Sequence, residues 1–155
     1  MTRPIPNVTD AVLLASRALV GVAARSLADV EDQVTLPQFR ALVVLATADR
    51  NLADLAEALD VHPSSATRLC TRLEAKGLIT RTPAEQSRRE LLVSLTREGR
   101  TIVDAVTRRR RREIARIVAR IPAREQRVLV HALGIFAEAA REMPEPSWSF
   151  GWEHR

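Results

Sequence analysis

The stretch HPSSATRLCTRLEAKG, from His62 to Gly77, decides how this chain folds. Its apolar residues recur at the i, i+3, i+4 and i+7 spacing that gives a helix one buried face. These residues are Ala66, Leu69, Cys70 and Leu73. Its basic residues, Arg68, Arg72 and Lys76, recur at every fourth position and share another edge. The stretch therefore predicts a short helix that packs by one face and carries a row of positive charge on another.

The segments on either side of this helix complete a winged helix-turn-helix. NLADLAEALDV, residues 51–61, is amphipathic, and Asn51 is a suitable N-cap for it. The turn DVHP follows, Pro63 suits the first turn of the next helix, and Gly77 suits its end. Beyond Gly77, LITRTP and ELLVSLT predict two short strands with AEQSR at the hairpin tip. A second helix presented in this way enters the major groove of DNA.

Long helices are predicted before and after this unit. Residues 10–32 keep near-helical apolar spacing, and Thr35 with Gln38 predicts a capping box at the start of the next helix. Thr96 predicts the N-cap of a long helix in which Gly99 is a weak point, and Pro122 breaks that helix. A last helix is expected to reach about residue 142. Its predicted buried set is Val128, Leu129, Leu133, Phe136 and Ala140.

The fold class that follows is mainly α with a small β-hairpin wing. We expect a winged helix-turn-helix DNA-binding domain at residues 35–96, a helical dimerisation region at residues 1–34 and 97–143, and a C-terminal tail at residues 144–155. The apolar surface of the first helix and of the last two exceeds what one small core needs, which favours a homodimer over packing within one chain. A dimer also matches half-sites spaced by one turn of the DNA helix.

The composition agrees with a helical protein that binds a polyanion. The 155 residues are 46% hydrophobic and only 3% aromatic, which disfavours a β-sandwich and an aromatic platform for single-stranded bases. The net charge is +5, and all 24 basic residues except Lys76 are arginine, which suits phosphate and guanine. A GC-rich genome would enrich arginine equally well. Residues 62–97 hold seven basic and three acidic side chains, so +4 of the excess charge lies where DNA would lie.

The candidate DNA contacts lie on the second helix and on the hairpin tip. Small hydroxyls at a helix start let the backbone approach DNA, and arginine reads guanine or phosphate. On the helix the expected contacts are His62, Ser64, Ser65, Thr67, Arg68, Thr71 and Arg72. On the wing the expected contacts, in a narrow minor groove, are Ser87, Arg88 and Arg89.

This region resembles the MarR family of bacterial winged helix-turn-helix transcription regulators. The resemblance covers about residues 35–100, and its most specific part is the wing pattern, matched by Arg89, Leu95, Thr96 and Gly99. Ser87 stands where the family has an aspartate that braces the wing against an arginine. The resemblance implies a homodimer on double-stranded DNA with a pseudo-palindromic operator. It also implies a repressor that releases DNA when a small aromatic effector enters a cleft between the two bodies.

The sequence favours no enzyme, metal site or cofactor. It lacks a nucleophile elbow, a Gly-rich phosphate loop and paired carboxylates, and its three histidines are far apart. Cys70 has no second cysteine to pair with and, on the buried face, is expected to pack as a small hydrophobe. The start of the chain is unlike a leader, and no apolar run approaches the ~20 residues of a membrane span. We therefore expect a cytoplasmic protein without a membrane partner.

Three features allow more than one interpretation. The run from Arg108 to Arg112 covers more than a helical turn, so at least one of these arginines faces inward and needs a carboxylate partner. This favours ion pairs between helices over a contact with DNA. The candidate carboxylates are Asp29, Glu31 and Asp32. The aromatic residues of the tail, which either cover a surface or lie outside the domain, are Trp148, Phe150 and Trp152. The alternative to a regulator is a winged-helix module for protein contact with only non-specific affinity for DNA.

Overall fold

The computed structural model describes residues 7–85 and 87–142, with Ser87 and Arg88 described by their backbone alone. In chain order the elements are α1 (Val8–Leu27), a 3-10 turn (Ala28–Val30), α2 (Leu36–Thr47), β1 (Arg50–Asn51), α3 (Leu52–Leu59), α4 (Pro63–Ala75), β2 (Ile79–Ala84), β3 (Ser87–Leu95), α5 (Arg97–Val118) and α6 (Ala123–Ala139). This order confirms the predicted class, a mainly helical chain with a β-hairpin wing. The expectations for residues 1–6 and for the tail at 144–155 lie outside the described residues.

Side-chain caps set where several helices begin, as the sequence predicts. The Thr35 hydroxyl accepts from the Gln38 amide at 3.4 Å, and the Gln38 Oε1 accepts from the Thr35 amide at 3.1 Å, so the capping box is confirmed. Asn51 accepts from an amide in the first turn of α3 at 2.8 Å, and Thr96 accepts from the Gly99 amide at 3.1 Å. These oxygens satisfy amides that have no partner within the helix.

The turn between α3 and α4 presents α4 by one face. Asp60 closes α3 in the left-handed region, with a φ of 52°, and Gly77 follows α4 with a φ of 70°. Short polar residues and glycine adopt this region most readily. The predicted packing face of α4 is confirmed, because Ala66, Cys70 and Leu73 are fully buried and the fourth member, Leu69, is half-buried against the core. The opposite face of the helix is therefore left to solvent.

Three antiparallel strands form the wing, in the order β1-β3-β2. β2 pairs with β3, which confirms the predicted hairpin, and β3 begins at Ser87, three residues earlier than expected. The sequence does not predict β1, whose two residues pair Arg50 with Val93 and Asn51 with Leu92. A strand of two residues is too short to show an alternating pattern. β1 ties the start of α3 to the base of the wing.

Gly99 lies where the first turn of α5 meets the chain that enters β2. A Cβ on this residue would lie 2.2 Å from the Leu78 carbonyl oxygen and 2.8 Å from Leu95 Cδ1. The same carbonyl accepts a hydrogen bond from the Thr96 amide at 3.1 Å. Gly99 is therefore more than the weak point that the sequence suggests: its missing side chain permits the close approach that joins α5 to the wing.

The core lies between α2, the helix-turn-helix and the first half of α5. Phe39, Leu42 and Leu45 on α2 are fully buried, as is Leu55 on α3. The first half of α5 adds Ile102, Val103 and Val106. This core supports α4 from behind and fixes it relative to α2.

The outer helices differ from the prediction. α1 ends at Leu27 and a 3-10 turn follows, in place of one helix over residues 10–32, and α6 ends at Ala139 instead of residue 142. No residue of α6 is buried, so the predicted buried set of Val128, Leu129, Leu133, Phe136 and Ala140 is wrong for a single chain. Periodicity identifies an apolar face, but it does not identify the molecule that covers the face.

Among the described helices, one has the length and composition of a membrane span, contrary to the expectation from sequence. It comprises α1 and the 3-10 turn that follows, Val8–Val30. The mean hydropathy of its most apolar stretch is 1.5, and only 17% of that stretch is buried. Arg17 and Arg25 interrupt its apolar residues, so no unbroken run is visible in the sequence although the average stays high. A helix of a water-soluble protein whose apolar face is covered by another helix meets the same criteria of length and composition.

Candidate nucleic-acid interface

The outward face of α4 and its N-cap is polar along its whole length. Every contact predicted on this helix is exposed to solvent, namely His62, Ser64, Ser65, Thr67, Arg68, Thr71 and Arg72. The buried face holds the helix firmly, so these side chains are presented together on one surface. A helix of this kind has the form needed to dock in a major groove.

His62 caps the N-terminus of α4. Its Nδ1 accepts a hydrogen bond from the Ser64 amide at 3.2 Å and lies 2.8 Å from the Ser64 hydroxyl oxygen. Because Nδ1 accepts from the backbone, the neutral ring carries its proton on Nε2, which can donate outward. The helix N-terminus also favours a phosphate by its free amides. His62 therefore serves the helix cap and leaves a donor for a ligand.

In this geometry the hydroxyls of the two threonines of α4 can accept a hydrogen bond from a ligand but cannot donate one. The Thr67 hydroxyl donates to the Pro63 carbonyl at 3.0 Å, and the Thr71 hydroxyl donates to the Thr67 carbonyl at 3.0 Å. Each hydroxyl has then used its one proton and keeps lone pairs to accept from a base amino group. The methyl groups remain able to contact a thymine methyl.

The row of positive charge on α4 is shorter than the sequence suggests. Arg68 and Arg72 are exposed on the predicted edge. Lys76 instead directs its ammonium back to the protein, where Nζ donates to the Gln33 carbonyl at 2.6 Å and to Gln38 Oε1 at 3.0 Å. Two arginines, and not three cations, therefore face outward from this helix.

An ion pair joins α4 to the wing. Arg81 on β2 donates through Nε to Glu74 Oε2 on α4 at 2.9 Å, and its Nη2 bonds the same oxygen. The hydrogen bond from Arg81 holds the pKa of the Glu74 carboxyl below its ordinary value. Arg81 therefore belongs to the frame that positions α4, although its charge counts toward the basic excess of this segment.

Cys70 packs directly beneath the outward face of α4. It is fully buried, and burial raises the pKa of its thiol, an effect that the nearby Arg81 charge partly opposes. The thiol is therefore protonated at neutral pH. This confirms the prediction that Cys70 packs as a small apolar side chain.

The wing is held at its base. Asn51 Nδ2 donates to Glu90 Oε1 at 2.8 Å, which ties the start of α3 to β3. Arg89 is exposed on β3. Ser87 and Arg88, which are described by their backbone alone, begin β3 beside the hairpin tip. The predicted wing contacts are thus gathered at one end of the hairpin.

The arginine run on α5 forms contacts within the protein, as the sequence predicts. Arg109 makes an ion pair with Asp29, which is one of the candidate carboxylates. Arg110 donates to the Ser26 hydroxyl at 3.3 Å, and its guanidinium lies 5.5 Å from the centre of the Phe39 ring. These contacts join α5 to α1 and α2.

Sequence reasoning missed the charged contacts that orient α4. Gln38 was assigned only to the capping box, whereas its side chain also accepts from Lys76, 38 positions away. Glu74 and Arg81 lie on different kinds of element, so no periodic spacing relates them. The one signal in the sequence is that Lys76 is the sole lysine in an arginine-rich chain.

A cavity of about 540 Å³ opens between α1, α2 and α5. Its apolar lining includes Leu19, Val20, Leu36, Phe39, Val43 and Ile114. Arg40 and Arg110 contribute polar atoms to the same cavity. An apolar cavity with a few polar groups is the usual form of a site for a small ligand.

Comparison with known proteins assigns the family. The model of the MarR family matches residues 32–90, which contain α2, the helix-turn-helix and most of the wing. The crystal structure of RV1404 from Mycobacterium tuberculosis is 46% identical and has a TM-score of 0.82, covering 93% of this chain and 99% of that one. The chain belongs to the MarR family.

Other relatives agree with this assignment. The HTH-type transcriptional repressor MdtR of Bacillus subtilis (strain 168) is 33% identical over 103 residues, or 64% of this chain and 66% of MdtR. This MarR-family chain spans 57% to 67% of the lengths of the Bacillus relatives it matches. The S. aureus MepR F27L mutant bound to oligodeoxyribonucleotide shares the fold, with 21% identity and a TM-score of 0.62 over 86% of this chain and 98% of that one. The chain thus has the winged helix of a family of transcription regulators, and these are not enzymes.

Proposed function

We propose that this MarR-family chain is a homodimeric, sequence-specific DNA-binding transcription regulator that acts as a repressor. The observation that carries the proposal is the exposed polar face of α4, held outward by a fully buried face in a winged helix-turn-helix. Residues 35–96 bind DNA in this proposal, and residues 1–34 and 97–143 form the dimer. The name of the relative MdtR supports repression. A cytoplasmic location belongs to the same proposal, because a regulator of this kind acts on chromosomal DNA.

The proposed contacts divide between base edges and phosphates. Arg68 and Arg72 reach guanine or phosphate, because arginine can bind either with two hydrogen bonds. Ser64, Ser65 and the first-turn amides at the helix start, with the His62 cap, approach the phosphates of DNA. Thr67 and Thr71 face the base edges, where their hydroxyls can accept hydrogen bonds. The wing contacts, in the adjacent minor groove, are Ser87, Arg88 and Arg89.

The proposed dimer rests on apolar surface that one chain leaves uncovered. On α6, Val130 is 74% exposed and Phe136 is 51% exposed, and on α1, Val20 is 67% exposed. Large apolar side chains left exposed along a helix face are a usual sign of an interaction surface. A second copy of the chain would cover both helices and would set two α4 helices on successive turns of one DNA face.

The cavity between α1, α2 and α5 is the proposed effector site. Its walls join the helices of the proposed dimer to α2, which supports α4 from behind. A small aromatic compound fits the apolar lining, and Arg40, Arg110 and Glu142 supply charged groups that can orient a polar substituent. A ligand that binds best when α1, α2 and α5 are differently spaced would release DNA by shifting the population of states.

Fluorescence anisotropy with two duplexes tests the proposal. One duplex is taken from upstream of the gene for this chain, the other is its scrambled counterpart, and each is titrated at two salt concentrations. We expect a preference of about a thousandfold or more for the native duplex, because specific sites exceed non-specific ones by at least this factor. Weak, salt-sensitive and equal binding to native duplexes from throughout the genome and to scrambled ones would favour the protein-interaction module instead.

A further inference from the structure

The ammonium of Lys76 connects three parts of the fold. It lies at the C-terminal end of α4, and its Nζ donates to the Gln33 carbonyl at 2.6 Å in the chain that leads into α2. The same Nζ donates to Gln38 Oε1 at 3.0 Å in the first turn of α2. Both acceptors lie outside α4, one in the segment before α2 and one in its first turn, and although Lys76 and Gln33 are exposed, Gln38 is buried.

The acceptor on α2 is held in place by its own contacts. Gln38 is only 5% exposed, and its Oε1 also accepts from the Thr35 amide at 3.1 Å in the capping box. A buried oxygen fixed by a helix cap has a defined position. The bond from Lys76 to Gln38 therefore holds the C-terminal end of α4 at a fixed place against the start of α2.

We propose that Lys76 is a positioning residue, which sets the orientation of α4 against the start of α2 without touching DNA. This inference rests on the proposed function, because it concerns how α4 meets the groove. Two of the three ammonium protons are committed to acceptors inside the protein. The cation fixes α4 at its C-terminal end, while Glu74 and Arg81 fix the same turn against the wing.

The salt dependence of binding separates a positioning lysine from a lysine that contacts phosphate. Each phosphate contact adds about 0.9 to the slope of log affinity against log salt concentration. For Lys76→Met we expect affinity for the native duplex to fall about tenfold, the size of one hydrogen bond to a charged group, with the slope unchanged. The matched control is Arg72→Ala, one turn earlier on α4, for which we expect a slope shallower by about 0.9 per protomer.

Gln38→Met tests the same contact from a side chain that is too buried to reach DNA. We expect it to lower affinity with an unchanged slope. We expect the double variant with Lys76→Met to lose less than the sum of the two single losses, because both variants remove the same bond between Lys76 and Gln38. Melting temperatures for the wild type and the four variants establish that each is folded at the assay temperature. If Lys76→Met fails to fold, the Gln38→Met titration alone decides.

Three results would overturn the inference. They are a slope that becomes shallower in Lys76→Met, an unchanged affinity in a folded variant, and strictly additive losses in the double variant. Failure of the proposed function is distinguishable from all three, because the wild-type protein would then show no preference for the native duplex.

Discussion

Replacing Gly99 by alanine is expected to destabilise the fold, although alanine favours helices. The added Cβ would lie 2.2 Å from the Leu78 carbonyl oxygen, more than 1 Å inside the 3.4–4 Å range of ordinary contact. That oxygen belongs to the backbone and accepts from the Thr96 amide, so no side chain can rotate away to relieve the clash. The first turn of α5 must move off the wing.

Three contributions set the size of the effect. Alanine within a helix is more stable than glycine by about 1 kcal/mol. Forcing a methyl group into a packed site costs about 1–3 kcal/mol, and losing the Thr96 hydrogen bond costs about 1 kcal/mol. The net expectation is a loss of about 2 kcal/mol in the free energy of unfolding, or about 4–8 °C in Tm for a chain of this size.

Thermal unfolding followed by circular dichroism at one protein concentration measures the change. The control is Gly134→Ala on α6, where nothing in the same chain lies within 4 Å of the added Cβ, so that within one chain only helix propensity changes. We expect this control to gain up to about 1 kcal/mol. If Gly99→Ala melts at or above the wild-type temperature while the control behaves as expected, the close approach to Leu78 is not the reason for the glycine.

Three further predictions concern the DNA contacts, the dimer and the wing. Arg68→Ala is expected to cost about 1–3 kcal/mol of binding free energy and to relax base preference, whereas Arg89→Ala is expected to weaken binding to all duplexes by the same factor. Affinities for duplexes with single base changes separate these effects, and the same pattern of affinities in both variants would contradict the prediction. Phe136→Asp puts a charge on the exposed apolar face of α6 and is expected to give monomers by light scattering, so an unchanged dimer mass would exclude this face as the interface. The bond from Arg81 lowers the pKa of Glu74, so this ion pair stabilises the fold above the ordinary value of 4.5, and its contribution is lost as the pH falls through the lowered pKa. Urea unfolding at about pH 7 and about pH 3 measures this contribution. Between the two pH values, the free energy of unfolding should fall more in the wild type than in Glu74→Gln, and equal losses would contradict the role of the pair.

Local chemistry made much of the fold predictable. The capping oxygens of Thr35, Asn51 and Thr96 act within three residues, so their sequence signals identify helix starts directly. The packing face of α4 follows from spacing along one helix, and Gly77 ends that helix through its own backbone freedom. Features that depend on a few neighbouring residues are thus accessible from sequence.

Contacts between distant segments were not predictable in the same way. The Lys76 ammonium and the Gln38 oxygen meet only because the whole helix-turn-helix has folded, and the Glu74 contact crosses from helix to strand. The clash at Gly99 likewise depends on Leu78, which lies 21 positions earlier. No local pattern says which molecule, if any, covers the exposed face of α6. The polar face of α4 was therefore predicted better than the contacts that orient it.

In the proposed dimer, the uncovered helix α6 would link the lifetime of the protein to its abundance. A helix of 17 residues with no buried side chain has little tertiary support, and isolated helices of about this length are only marginally stable in water. In a dimeric regulator, a newly made chain would therefore carry a frayed arm that proteases can cleave until a partner arrives. At low concentration most chains would be unpaired and would be degraded quickly, whereas paired chains would persist. The steady-state amount of dimer would therefore rise more than proportionally with the rate of synthesis.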